Sequence, residues 1–285
     1  MSTVPEATTV SSWTNGRART RPGPTRTSRS TDAARQGRGT RMSPAPPNSR
    51  FSALTRKISR PVIALSVAVA TVVCAAGTAQ AAVWGSSDQW ASWSDNGYTL
   101  YNDVWGGGAG PQSIWANSYN NWGVWSNQPN TGGVKSYPNV TKWVGTPINS
   151  LNSVTSGYNV SVPSSGAYES AYDIWDSSNS NEIMLWMNQT GPVGAIGSYV
   201  TTVWLGGYNW NVYKGWNGNN NVYSFLNTGR STSGTVDILS VLRWLENNEH
   251  WIGNVTLGNV QFGWEITSSS GGENFMVDNY WVSYN

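Results

Sequence analysis

The chain has 285 residues, with one cysteine, one histidine, 18 tryptophans and 31 glycines, and 11% of its residues are charged against about 25% in ordinary domains. A single histidine excludes a multi-histidine metal centre, and a single cysteine excludes a disulfide framework, a zinc knuckle or an iron–sulfur cluster. The formal charge of +2 sums two unlike pieces: residues 1–81 hold 12 of the 17 Lys and Arg with two acids, whereas residues 82–285 hold five basic and 13 acidic groups, a net of −8. Phosphate binding needs clustered Lys and Arg, so nucleic acid is not an expected partner of the acidic part.

Residues 1–50 are rich in Arg, Thr, Ser and Pro and cannot build a core. Arg56, Lys57 and Arg60 precede an uncharged apolar run over 61–79, and Ala79-Gln80-Ala81 follows it. A positive region, an apolar region and an A-x-A site read as a secretory signal peptide over about 42–81, cut after Ala81, with a basic disordered extension before it. The run also fits a transmembrane anchor, but it is Ala- and Val-rich and short for a span. Cys74 leaves with the signal. The expected product is a secreted, cysteine-free monomer of one domain, residues 82–285, with no membrane attachment after cleavage.

Along 82–285, Gly, Asn, Ser and Thr interrupt short runs of Val, Ile, Tyr and Trp. Many short alternating strands predict an all-β sandwich or barrel. In residues 181–188, strand alternation puts Glu182, Met184 and Trp186 on one face and the core residues Ile183, Leu185 and Met187 on the other. Residues 234–248 break the pattern: Ile238, Leu242 and Leu245 recur at helical spacing, which predicts one helix capped by Ser233 with Asp237 in its first turn. His250 follows, without the partners of a Ser–His–Asp triad. In residues 259–267, Val260, Phe262, Trp264 and Ile266 form a core face. Glu265 lies on the opposite face, next to Gly263, whose missing side chain leaves room for a ligand.

Two mid-strand glutamates among many indoles suggest polysaccharide hydrolysis. A retaining glycosidase uses two carboxyl groups about 5–5.5 Å apart, one attacking the anomeric carbon and one passing its proton to the leaving oxygen. The same alternation also fits two solvated carboxylates on an outer face.

At these residues the chain resembles glycoside hydrolase family 12. The motifs are Asp88-Gln-Trp90, Tyr98-Thr-Leu-Tyr-Asn-Asp-Val-Trp-Gly106, Val134-Lys-Ser-Tyr-Pro-Asn139, Ala171-Tyr-Asp-Ile-Trp175, Glu182-Ile-Met-Leu-Trp186, Gly191-Pro-Val-Gly-Ala-Ile-Gly197, Val222-Tyr-Ser-Phe225 and Phe262-Gly-Trp-Glu265. Each is weak alone; their order and coverage make the likeness specific. The resemblance implies a β-jelly-roll sandwich of two antiparallel sheets, with a concave substrate cleft and one helix on the convex side. It implies Glu182 as nucleophile, Glu265 as acid/base and Asp173 as a hydrogen-bonding support of the nucleophile. It places Trp90, Trp105, Met184 and Trp186 on the glycone side of the cleft, with Trp105 and Trp186 as the chief sugar platforms. The implied activity is a retaining endo-β-1,4-glucanase acting on β-1,4-glucan without cofactor or metal.

The chain departs from the family pattern at four places. Ser87 stands where a disulfide cysteine is common, a loss of about 2–4 kcal/mol unless offset. The loop between Asp173 and Glu182 is short. Asp103 replaces a usual Asn beside the cleft, adding a charge expected to raise a glutamate pKa. Ala195 replaces a common Pro. Xyloglucan-specific cleavage is the alternative within the enzyme class. A non-catalytic lectin-like glycan-binding sandwich and a cell-wall structural protein are the alternatives outside it.

Overall fold

A computed structural model describes residues 81–285; the extension and the signal peptide, up to its last residue, lie outside the described residues. Two sheets carry the fold. The smaller orders β1 (Trp84–Ser86), β4 (Gln112–Ser118), β5 (Asn121–Ser126), β15 (Glu273–Tyr284), β7 (Val154–Ser161) and β13 (Ser233–Asp237). The larger orders β10 (Ser198–Leu205), β11 (Tyr208–Trp216), β12 (Asn221–Asn227), β9 (Asn181–Thr190), β8 (Ala167–Asp176), β14 (Thr256–Ser268), β6 (Asn139–Pro147), β3 (Tyr98–Tyr101) and β2 (Ser92–Asp95). Neighbouring strands run antiparallel except β12 and β9, which are parallel. This is the expected two-sheet jelly roll.

The predicted alternation holds. Ile183, Leu185 and Met187 of β9 and Val260, Phe262, Trp264 and Ile266 of β14 are buried in the core between the sheets. There Trp264 packs on Trp122 at 5.2 Å between ring centroids and on Phe275 at 5.5 Å, and Phe262 stacks on Tyr280 at 5.7 Å. Buried aromatics of this size supply most of the area that stabilises a sandwich.

The helix, α1, spans Ile238–Asn247, shorter than the predicted segment. Residues 233–237 form β13 instead, because Thr235 and Val236 pair with β7 and make the edge of the smaller sheet. Asp237, not Ser233, is the cap; its carboxylate accepts from the Ser240 amide at 3.1 Å. Trp244 packs on Phe225 of β12, which fixes the helix on the core side of the larger sheet. His250 sits exposed beyond the helix with Nδ1 against the Glu246 carbonyl at 3.0 Å.

A buried polar network holds the first strands near Ser87. Gln112 Nε2 donates to the Asn102 carbonyl (2.8 Å) and to its side-chain oxygen (3.0 Å). Gln112 Oε1 accepts from Ser126 (2.9 Å) and Ser136 (2.8 Å), and Asn102 Nδ2 reaches the Asp88 carbonyl at 2.8 Å. These bonds tie β4, β5 and the 86–104 segment together. Gln112→Leu keeps the volume but strands two buried hydroxyls and the Asn102 oxygens. It is expected to cost about 2–3 kcal/mol. Calorimetry should record a Tm lowered by roughly 5–10 °C.

Candidate active site

Cross-strand register places the carboxylates on the face of the larger sheet that points away from the core. Glu182 pairs with Trp175, Met184 with Asp173 and Trp186 with Ala171. On the other side of β8, Gln261 pairs with Asp173, Gly263 with Ala171 and Glu265 with Glu169. Glu182 and Glu265 therefore lie level with positions 175 and 169 of the intervening strand. A flat sheet would separate those levels by about 20 Å. Yet the charge of Glu265 acts on both Glu182 and Asp173. Register shifts at Ser170/Ala171 in β8 and Leu257/Val260 in β14 mark bulges, which bend the strands that carry them. Both glutamates share the open face, and the Glu265 charge reaches Glu182.

Glu182 is buried, and burial pushes its carboxyl up to about 7. The Asn220 amide opposes that rise, the Glu265 charge adds to it, and the Asn217 amide opposes it again. Asn220 Nδ2 donates to Glu182 Oε2 at 2.8 Å and Asn217 Nδ2 to the same oxygen at 2.9 Å. Oε1 is left for chemistry. Both asparagines sit in the loop between β11 and β12. There Asn217 Oδ1 accepts the amides of Asn219 and Asn220, each at 3.0 Å, so the turn itself aims the Asn217 amide group outward. Parallel pairing of Val222 with Glu182 then sets this loop against β9. Sequence reading missed both residues; the run of four turn-formers at 217–220 was the signal, but not the parallel pairing that delivers it.

The expected hydrogen bond from Asp173 to Glu182 is corrected. Asp173 Oδ2 accepts from Trp175 Nε1 at 2.8 Å, and Oδ1 is buried without a partner. Burial first, and the Glu182 charge second, hold Asp173 well above the usual carboxylate range. The donors to Glu182 are therefore the amides of Asn217 and Asn220.

Trp186 is also corrected. It is 3% exposed, packed with Met184, Ala171 and Val222 beneath Val193 and Ala195, so it forms the floor of the site rather than an open sugar platform. Ala195 acts in that packing. Gly263 likewise serves another purpose: a Cβ there would meet the Pro138 carbonyl at 2.0 Å, so the glycine admits backbone, not ligand.

Trp90 and Trp105 are open, 58% and 51% exposed. Trp105 is attached to the site through the segment 134–139, and Trp90 is joined to the Trp105 segment through the Val104 amide on the Gln89 carbonyl at 3.0 Å. Trp105 N and Gly106 N donate to the Lys135 carbonyl, Tyr137 N donates to the Asp103 carbonyl at 2.9 Å, and Lys135 N and Ile266 N close the link to β14. Tyr137 lies buried under the floor, its hydroxyl on the Ala171 carbonyl at 3.1 Å. Trp143 on β6 is a further open indole that sequence reading missed; its parity matches that of Gln261 and Glu265.

Asp103 has φ 41°, a left-handed conformation that Asp and Asn tolerate alike. Burial raises its carboxyl to about 6. Its charge raises Asp173 and Tyr137. A carboxyl raised on folding stabilises the folded state at low pH, and that contribution is lost as pH rises through about 6. Asp103→Asn should therefore gain about 1–2 kcal/mol at pH 7 and nothing at pH 3, read from denaturant unfolding at the two pH values.

Residues 71–285 match the family described as Glycosyl hydrolase family 12. Endoglucanase S of Pectobacterium parmentieri is 33% identical over 208 residues, 62% of this chain and 78% of that protein. Xyloglucan-specific endo-beta-1,4-glucanase A of Emericella nidulans is 30% identical over 200 residues, 64% of this chain and 84% of that protein. The solved xyloglucanase domain of NopAA, a type three effector from Sinorhizobium fredii, in complex with cellobiose, has a TM-score of 0.69 at 43% identity; the match covers 71% of this chain and 99% of that domain. The native family 12 xyloglucanase from Bacillus licheniformis has a TM-score of 0.63 at 29% identity, covering 71% of this chain and 100% of that one. A two-sheet jelly roll, two glutamates on its open face and a family match over most of the sequence converge: this chain belongs to glycosyl hydrolase family 12.

Proposed function

We propose that the protein is a retaining endo-β-1,4-glucanase in which Glu182 is the nucleophile and Glu265 the acid/base. The observation that carries this reading is the pair of glutamates on one open face of the larger sheet, one of them anchored through a single oxygen and acted on by the charge of the other. Glu182 Oε1 attacks the anomeric carbon as Glu265 gives its proton to the leaving oxygen. Glu265 then takes a proton from water, and the resulting hydroxide cleaves the glycosyl ester. Trp90 and Trp105, both open, offer indole faces to the apolar faces of sugar rings. Secretion and action as a monomer belong to the same proposal and rest on the leader pattern of residues 42–81.

A nucleophile must be ionised. With Glu182 near 7, activity should fall as pH drops below that value. Asn220→Ala removes a donor to the anion and raises Glu182 further. The acid limb of kcat/KM should then move up by roughly half a pH unit or more. Glu182→Gln should abolish release of reducing ends from β-glucan while polysaccharide binding persists. Unchanged hydrolysis in that variant would overturn the assignment, and a wild type that binds glucan without cleaving it would favour the lectin-like alternative.

Xyloglucan is the second reading. β8 and β9 are joined by residues 177–180, a tight turn closed on Asp176 Oδ1 by the amides of Ser178 and Ser180, each at 3.0 Å. So short a turn raises no wall beside Glu182 that a branched chain would strike. Side-by-side rates on xyloglucan, mixed-linkage glucan and carboxymethyl-cellulose decide it: a marked preference for xyloglucan makes branch tolerance the main specificity.

A further inference from the structure

One carboxyl group on the open face has no part in the reaction so far. Glu169 on β8 stands directly across from Glu265 on β14, with its side chain on the same face. It is 2% exposed. No donor is aimed at its Oε2. Lys135 Nζ is on the Gly132 carbonyl and Arg230 on the Gln189 carbonyl at 3.4 Å, and neither is among the groups that shift Glu169. On its other side Glu169 pairs with Gln189, which carries no charge. The charged or titratable groups that act on Glu265 or share its surroundings are Glu182, Asp173 and Tyr137, all of which add negative charge when ionised. A second anion at position 169 would be buried, unpaired and beside a like charge.

We propose that Glu169 is a positioning residue for Glu265, a neutral carboxylic acid whose O–H donates a hydrogen bond to the Glu265 carboxyl. Its state follows from burial first, then from the Glu265 charge and from the hydrogen bond between the two side chains; these outweigh its own backbone amide and keep Glu169 well above the usual carboxylate range. The inference rests on the assignment of Glu265 as acid/base. When Glu265 passes its proton to the leaving oxygen, the bond between that oxygen and the anomeric carbon breaks and the Glu182 ester forms. Glu265 is left as an anion. The Glu169 proton stays on Glu169, and its hydrogen bond, neutral before transfer, becomes charge-assisted. A bond that strengthens only as charge develops lowers the barrier rather than merely tightening substrate binding.

The test compares Glu169→Gln, which keeps a donor, with Glu169→Leu, which removes it at similar volume. Glu169→Gln should keep kcat within about threefold of wild type. Glu169→Leu should lose about 10- to 30-fold in kcat with KM little changed. Its basic limb should move to higher pH, because Glu265 without a donor to its anion holds its proton longer. Infrared spectroscopy of wild type at pH 7 should contain a protonated-carboxyl carbonyl band that is missing in Glu169→Gln. Absence of that difference overturns the proposal, as does an unmoved basic limb in Glu169→Leu. If Glu169→Leu does not fold, Glu169→Gln and the infrared band decide alone. A loss of more than about 100-fold in Glu169→Gln would mean that an ionised Glu169 is required, which also overturns it. Glu265→Gln separates the two ideas: if it still hydrolyses unactivated β-glucan, the acid/base reading fails; if it is inactive while the Glu169 variants behave as wild type, only the positioning role fails.

Discussion

Negative charge confined to one nearly dry face of the larger sheet is the constraint around which this protein is organised. Glu182, Asp173, Glu169 and Glu265 come from three adjacent strands, and the first three are buried. Asp103 adds a fifth carboxyl nearby. Such a cluster cannot ionise throughout at any reasonable cost. The fold answers by treating the carboxyls unequally. Burial first, and then the charge of a neighbour, holds Asp173 and Glu169 well above the usual carboxylate range. Glu182 receives two amide donors on one oxygen, so an anion there is supported without an ion pair. The chemistry is then restricted to the residues whose protons can move.

The same constraint explains the backbone around the site. Glu182 and Glu265 lie level with positions six residues apart on β8, and the register shifts in β8 and β14 mark bulges, which bend the strands between them. The bend needs a firm support behind it. Trp264 and Phe262, which alternate with Glu265 and Gln261 along β14, fill the core against Trp122, Phe275 and Tyr280. Gly263 lets the Pro138 backbone close on β14, and the 134–139 segment links that strand to Asp103 and Trp105. Core packing, sheet curvature and the placing of the indoles are therefore one mechanical unit. The Gln112 network at its edge pairs the polar groups it buries with one another.

Local alternation made much of this legible. Period-two patterning separated Glu182 from Ile183 and Glu265 from Trp264, and the structure keeps both separations. What alternation cannot report is depth and distant pairing. It placed Trp186 on the right face, yet the 191–197 loop covers the ring. It could not foresee that β12 would pair parallel to β9, which is what brings Asn217 and Asn220 to the nucleophile. Glu169 was readable, since it shares parity with Ala171 and Asp173 in one strand, but a carboxyl two turns of the pleat away drew no attention without its partner across β14. The helix start failed for a different reason: β-branched Thr235 and Val236 had β7 to join, and tertiary pairing overrode the helical pattern.

The central claim is that an anchored Glu182 forms the covalent intermediate. Incubation with an activated 2-deoxy-2-fluoro cellobioside, followed by peptide mapping, tests it directly, because the fluorine slows hydrolysis of the glycosyl ester and lets it accumulate. The account predicts a single added glycosyl group on the peptide containing residues 181–190, at Glu182, with loss of activity in step with labelling. A label on Glu265 or Glu169, or release of product with inverted anomeric configuration and no label, would contradict it.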